Sequence, residues 1–284
     1  MKRAILFLTA LIAIVSSHAQ SLEEIKMIEQ RLYSSLSPMD TAMMKSALDG
    51  DASSQYALGL NYYFGKNITK DYAKAIKWFK RAGSQGKMDA SYYVAVCYSL
   101  GQGVERNDNE AAQWMLKAAE QGKKEAQLAM GFRYSTGSGV SKNNATALKW
   151  YRKAAAQGDA TAQNSAGRLL YDGEGVTNDY PEAFKWFSKS AEQGNVYAVG
   201  NLGLCYYFGR GTSQNYSLAF QDLSKASSLN NCPADIMNTL SKCYRFGRGT
   251  LEDLDKADFW LKKAAEAKDD DANALLSLIG LKDN

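Results

Sequence analysis

Glycines set 36 residues apart constrain this chain more than any other feature: Gly50, Gly86, Gly122, Gly158 and Gly194 close successive segments, with runs such as Ser84-Gln85-Gly86 and Glu120-Gln121-Gly122. The fifth and sixth segments end at Asn230 and Lys268 instead, and the sixth carries two extra residues near its start. The repeats are therefore 51–86, 87–122, 123–158, 159–194, 195–230 and 231–268. A fixed period of this length belongs to stacked supersecondary pieces, none of which can bury its apolar face alone. All five tryptophans, Trp78, Trp114, Trp150, Trp186 and Trp260, fall at position 28 of the repeat, where the fifth repeat has Asp222. Position 25 is alanine throughout: Ala75, Ala111, Ala147, Ala183, Ala219 and Ala257.

Each repeat reads as two helices. In the first, positions 4, 8, 9 and 12 (Ala126, Met130, Gly131 and Tyr134) form one stripe at helical spacing, and in the second, positions 25, 28, 29 and 32 (Ala147, Trp150, Tyr151 and Ala154) form another. Gly101-Gln102-Gly103-Val104, Gly137-Ser138-Gly139-Val140 and Gly173-Glu174-Gly175-Val176 stop the first helix, because glycine enters left-handed backbone without a Cβ penalty. Asp71, Asn107, Asn143, Asp179, Asn215 and Asp253 stand where the second helix needs an N-cap. Small residues at position 9 are expected to face the alanine column and let the helices approach, with tryptophan covering the join to the next repeat. The fold class is all-α, an α-solenoid of about six stacked helix-turn-helix repeats.

The ends read differently. Met1-Lys2-Arg3, the apolar run from Ala4 to Val15, and Ser17-His18-Ala19 have the three parts of a secretory signal peptide, residues 1–19. Twelve residues reach roughly 18 Å as a helix, short of a bilayer core of about 30 Å, so no membrane span is expected after cleavage. The expected location is the periplasm or outside the cell. Residues 20–50 read as an N-terminal helical cap, with an amphipathic helix over 22–36 and an echo of a second helix over 39–50. Residues 269–284 read as a C-terminal capping helix, its Asp269-Asp270-Asp271 suiting the helix N-terminus.

His18 is the only histidine, so a chain cleaved after Ala19 has none. That excludes a Ser-His-Asp triad, a Cys-His dyad and any histidine-ligated metal site. Cleavage would leave 32 basic against 30 acidic residues, spread along the chain, and nothing there calls for nucleic acid. No cofactor fingerprint or metal-ligand spacing occurs, and neither a catalytic, a cofactor nor a metal site is expected.

The pattern Ala-x-x-x-Leu-Gly-x-x-Tyr, then Gly-x-Gly-Val, then Asp/Asn-x-x-Lys/Glu-Ala-x-x-Trp-Tyr/Phe-x-Lys-Ala-Ala-x-Gln-Gly resembles the Sel-one-like repeat (SLR) family, relatives of the tetratricopeptide repeat. The stretch 162–194 carries nearly all of it, and the resemblance covers roughly 51–280. It implies paired antiparallel helices in a right-handed superhelix, and a scaffold holding proteins or peptides on its concave face. Departures are Lys66-Asn67 after Gly65, the missing tryptophan and terminal glycine of repeat five, and the insertion around Cys232-Pro233. Cysteine-rich secreted members of the family pair cysteines about eight residues apart, a spacing not reproduced here.

Cys97, Cys205 and Cys243 share position 11 of the first helix, where cysteine serves as a small hydrophobe. In an oxidising compartment pairing stays open, and Cys205 with Cys232 is the better combination. Cys232 and Cys243 would lie roughly 16 Å apart along one helix, against a limit of about 7 Å for a disulfide. The partner-binding face is expected at first-helix positions 3, 6, 10, 13 and 14, which point away from the packing stripe and vary between repeats. It offers Tyr56, Leu60, Tyr63, Tyr92, Phe132, Arg168, Tyr171, Tyr207, Lys242 and Arg245, residue types common in interface hot spots.

The expected function is therefore a secreted or periplasmic interaction scaffold, a monomer binding a protein or peptide and not an enzyme. Two alternatives remain at this point. One is a cell-wall or β-lactam-acting hydrolase, for which Ser84-Gln85-Gly86-Lys87 matches S-x-x-K but neither S-D-N nor K-T-G is present. The other is a structural envelope protein without a specific ligand.

Overall fold

The computed structural model describes residues 38–278. The signal segment 1–19, the helix expected over 22–36 and the last six residues lie outside the described residues. Every regular element among the described residues is a helix, fourteen in all. α1 (Pro38–Leu48) is followed by the pairs α2 (Ala52–Phe64) and α3 (Tyr72–Ser84), α4 (Met88–Leu100) and α5 (Asp108–Glu120), α6 (Lys124–Thr136) and α7 (Asn144–Ala156). Then come α8 (Ala160–Asp172) and α9 (Tyr180–Glu192), α10 (Val196–Phe208) and α11 (Tyr216–Ala226), α12 (Ala234–Arg245) and α13 (Leu254–Glu266), and α14 (Asp270–Leu278). The chain divides after Asn107 into two compact units, α1 to α4 and α5 to α14. Within each unit consecutive helices pack on one another, and in the second the first helices of successive repeats also touch: α6 with α8, α8 with α10 and α10 with α12. The architecture is an α-solenoid.

Sequence dictates both ends of each helix. The N-cap side chains of Asp71, Asn143, Asp179, Asn215 and Asp253 accept the N–H three residues on, at 2.8–3.0 Å. The main-chain N–H of the cap residue then donates back to the carbonyl at position 12, as in Asp71 to Tyr62 and Asn143 to Tyr134, closing the loop. The loop needs two glycines for two reasons. Gly137 ends α6 at φ 81°, its N–H donating to the Arg133 carbonyl. Gly139 is left-handed as well, and a Cβ there would lie 2.0 Å from the Asp108 carbonyl oxygen at the start of the preceding second helix. The second glycine is thus where one repeat touches the last. Asn67 replaces it in the first repeat and keeps the left-handed backbone at φ 63°, which asparagine tolerates better than most residues.

Packing corrects one expectation. The alanines of position 25 are all fully buried. The glycines of position 9, however, lie against the ring at position 29 rather than against those alanines. A Cβ on Gly59, Gly131 or Gly167 would come within 2.4–2.5 Å of Phe79, Tyr151 or Phe187. The missing side chain makes room for a ring, and fully burying a ring such as Phe79 or Phe187 contributes about 2 kcal/mol. Position 28 is accordingly less buried than position 29. A cation at position 31 covers the indole face, Lys117 over Trp114 at 4.1 Å and Lys153 over Trp150 at 4.2 Å. Asp222 lacks that ring, and burial pushes its carboxyl up to about 6.

Glutamines join consecutive repeats. Gln127 at position 5 of α6 donates to the Ala119 carbonyl of the previous repeat at 3.1 Å, and the Gln157 amide donates to Gln127 Oε1 at 2.8 Å. Gln55 with Gln85 and Gln163 with Gln193 do the same. In repeats five and six both positions turn apolar together, Val199 with Leu229 and Met237 with Ala267. Losing both partners avoids an orphaned buried amide.

Candidate protein-interaction surface

The first-helix face differs between the two units. In the first, Tyr56, Leu60, Tyr63 and Tyr92 are all half-buried. Tyr56 packs 6.0 Å from Phe79 and 6.1 Å from Tyr93, with Lys87 Nζ above its ring. Tyr63 stands edge-on to Phe64 and Tyr72, both at 5.0 Å, and its hydroxyl donates to Gln102 Oε1 at 2.6 Å. Tyr92 meets Tyr93 at 5.8 Å. The outward apolar groups here are Phe64 and Leu100, at position 14, exposed by 62% and 63%. Of the S-x-x-K tetrapeptide, Ser84 ends α3 exposed, and Lys87 Nζ lies 3.5 Å from Ser53 Oγ and over the Tyr56 ring.

In the second unit the expected residues separate by role. Phe132 is 59% exposed on α6. Tyr171 and Tyr207 are buried, and burial pushes the Tyr171 phenol up to about 12. Each is wedged against the first tyrosine of its own second helix, Tyr180 at 5.5 Å and Tyr216 at 5.3 Å, so position 13 is mainly a packing position.

Arg168 is no free cation. Its guanidinium pairs with Asp235 at 2.8 Å and Asp172 at 3.1 Å and donates to Asn201 Oδ1 at 3.1 Å, joining α8, α10 and α12. Burial alone would lower its pKa, but the carboxylates reverse that and hold it above the usual value. Arg245 is paired with Asp258 of α13. Lys242 is half-buried beside it on α12. Two of the three cations expected to make this end of the face basic are therefore neutralised internally.

Two others were missed. Phe208-Gly209-Arg210-Gly211-Thr212 and Phe246-Gly247-Arg248-Gly249-Thr250 are the same five residues one repeat apart, a signal legible in the sequence but masked by the glycines' role in ending helices. Arg210 lies 5.1 Å from each of the Tyr171, Tyr180 and Phe208 rings. Arg248 lies 5.1–5.4 Å from Tyr207, Tyr216 and Phe246 and donates to the Tyr207 hydroxyl. Phe208 and Phe246 are themselves 44% and 58% exposed.

All four cysteines are free thiols, so Cys205 and Cys232 are not joined in this structure. Cys97, Cys205 and Cys243 are fully buried, and burial pushes each thiol up to about 12. Cys232 lines a cavity of about 450 Å³ with Met237, Trp260 and Ala267, where the insertion displaces the regular turn. Among the described residues no group of three or more His, Cys, Asp or Glu is placed to hold a metal ion, and no helix is long and apolar enough to cross a membrane.

Fold and repeat pattern together define a helical-repeat protein of the α-solenoid class. The chain belongs to the Sel1 repeat family, whose repeat matches residues 52–87, 89–123, 124–159, 160–195, 196–231 and 237–269. Among solved structures it is similar to c5321, a protective antigen of uropathogenic Escherichia coli with an SLR fold: 34% identity over 84% of this chain, TM-score 0.64. This chain spans about half of that antigen, 51% of its length. A Sel1 repeat protein from Oxalobacter formigenes shares 30% identity over 77% of this chain and 89% of its own, with TM-score 0.57. Among curated proteins none matches the chain. Sel1 repeat proteins are generally protein-interaction scaffolds.

Proposed function

We propose that this protein is a secreted or periplasmic scaffold that binds a protein or peptide segment on its concave, first-helix face. The observation that carries the reading is the contrast between columns. Packing positions 9, 25 and 29 are filled alike from repeat to repeat and buried, whereas positions 10 and 14 change identity and leave Phe132, Phe208 and Phe246 in solvent. Exposed aromatic side chains on a preformed helical surface lose little entropy on binding and supply large contact areas. The location follows from the signal-like residues 1–19 alone. A monomeric scaffold needs no catalytic group.

Phe132→Ala, Phe208→Ala and Phe246→Ala combined is the test, because all three rings are exposed and their loss leaves the packing columns untouched. Wild-type protein crosslinked in its native envelope should hold a stoichiometric partner, identified by mass spectrometry. The triple variant should lose it at unchanged helicity. Retention of the partner would remove the first-helix face from the reading, and a wild type with no stoichiometric partner would favour the structural envelope role.

A further inference from the structure

We infer that Arg210 and Arg248 recognise carboxylates, and that the partner segment held by this face is acidic, with two carboxylate side chains about three residues apart. This rests on the scaffold reading above and specifies the chemistry of what is bound. Among the described residues neither guanidinium forms an ion pair, in contrast to Arg168 and Arg245 nearby in the chain, both held by aspartates. Three aromatic rings surround each one instead. Arg248 spends one N–H on the Tyr207 hydroxyl, and the remaining donors of a planar five-donor fork can take a carboxylate with two parallel hydrogen bonds. Each cation is thus oriented and uncompensated, beside an exposed phenylalanine that suits an apolar residue of the same segment.

The tyrosine pair occurs three times, as Tyr63 with Tyr72, Tyr171 with Tyr180 and Tyr207 with Tyr216, and what sits against it varies. In the first unit Tyr63 and Tyr72 make the corresponding contact, yet the residue presented at position 16 is Gln102, whose amide oxygen accepts from Tyr63. Position 16 reads Lys66, Gln102, Ser138, Glu174, Arg210 and Arg248 along the chain, and only the last two are arginine. The first tyrosine pair holds Gln102 and the other two hold Arg210 and Arg248, so the pair does not itself require a guanidinium; the repeats before Ser138 and Glu174 carry Ser99 and Ser135 at position 13 and have no such pair. The spacing of the target follows from the packing of α10 on α12. Touching helices have axes about 9 Å apart, and an extended peptide advances about 3.4 Å per residue. Carboxylates at i and i+3 therefore match the two arginines.

A positional-scanning library of synthetic twelve-residue peptides, selected on the immobilised full-length protein, tests this. Wild type should enrich Asp or Glu at two positions three apart with apolar residues between, and binding of the selected peptide should weaken as salt is raised. Arg210→Gln and Arg248→Gln should each weaken it about tenfold, and the pair about a hundredfold. Arg210→Lys with Arg248→Lys, which keeps charge and ring contact but not the planar fork, should recover part of the loss. Melting curves of all variants confirm that stacking is retained. Enriched peptides without acidic residues, or acidic peptides held equally by the double Gln variant, would overturn the carboxylate assignment and leave the scaffold reading standing. Enrichment of nothing by the wild type would count against both.

Discussion

If paired glutamines join one repeat to the next, removing one should be worse than removing two. Gln127 is 5% exposed, donates to the Ala119 carbonyl at 3.1 Å and accepts from Gln157 at 2.8 Å. Gln127→Val removes both bonds, leaving the Ala119 carbonyl with the Gly122 N–H at 3.1 Å and the Gln157 amide with the Gly122 carbonyl at 2.9 Å. Two lost hydrogen bonds at about 1 kcal/mol net each give an expected total of about 2 kcal/mol. Gln157→Leu should cost about 1 kcal/mol. The double variant copies Val199 with Leu229, the natural pair of repeat five, and should cost about 1.5 kcal/mol instead of the additive 3. Urea titrations followed by circular dichroism, fitted to a nearest-neighbour repeat scheme, give the coupling energy directly. A coupling below about 0.5 kcal/mol, the usual limit of additivity, would refute the claim that these amides act as one link between repeats.

Other outcomes follow from the same geometry. Gly158→Ala meets nothing within 4 Å and should lose only the roughly 1–2 kcal/mol of left-handed strain. Gly139→Ala, facing the Asp108 carbonyl at 2.0 Å, should lose about 3 kcal/mol or more in the same denaturation assay. Asn143→Ala removes a single cap bond and should cost about 1 kcal/mol. Burial raises Asp222 from 3.8 to about 6, so the folded state binds its proton more tightly than the unfolded one. Its contribution is then complete below about pH 4 and is lost as pH rises through 6, and Asp222→Asn should stabilise the protein at pH 7 by on the order of 1 kcal/mol, with no gain at pH 4. Iodoacetamide applied to the native protein should modify Cys232 first and leave Cys97, Cys205 and Cys243 unmodified until unfolding, since those three are fully buried.

Periodicity made much of the fold legible. The alanine column, the cap residues and the loop glycines each answer a local requirement, and a local requirement repeated six times stands out against the variable residues between. Relations across the repeat were less visible. That Gly131 makes room for Tyr151 rather than for Ala147 depends on the rotation of one helix against another, which a one-dimensional stripe does not contain. The glutamine link escaped notice because Gln85, Gln157 and Gln193 read equally well as turn residues. The surface was legible as a set of variable columns, but composition says nothing about internal pairing. Arg168 looked like a recognition cation until Asp172 and Asp235, 4 and 67 residues away, were seen to claim it. Tyr171 and Tyr207 belong to columns that face outward on a lone helix and are covered when the repeats stack.

The central claim, that the first-helix face is the one that binds, is tested most directly by placing the photo-crosslinking residue p-benzoylphenylalanine at five exposed positions in turn. Phe132, Phe208 and Phe246 lie at the first-helix face, whereas Leu218 and Phe259 lie on the second helices α11 and α13, exposed by 39% and 51%. Irradiation in the native envelope should yield the same partner adduct from the first three and none from the other two. Adducts from Leu218 and Phe259 with none from the first-helix positions would contradict the account.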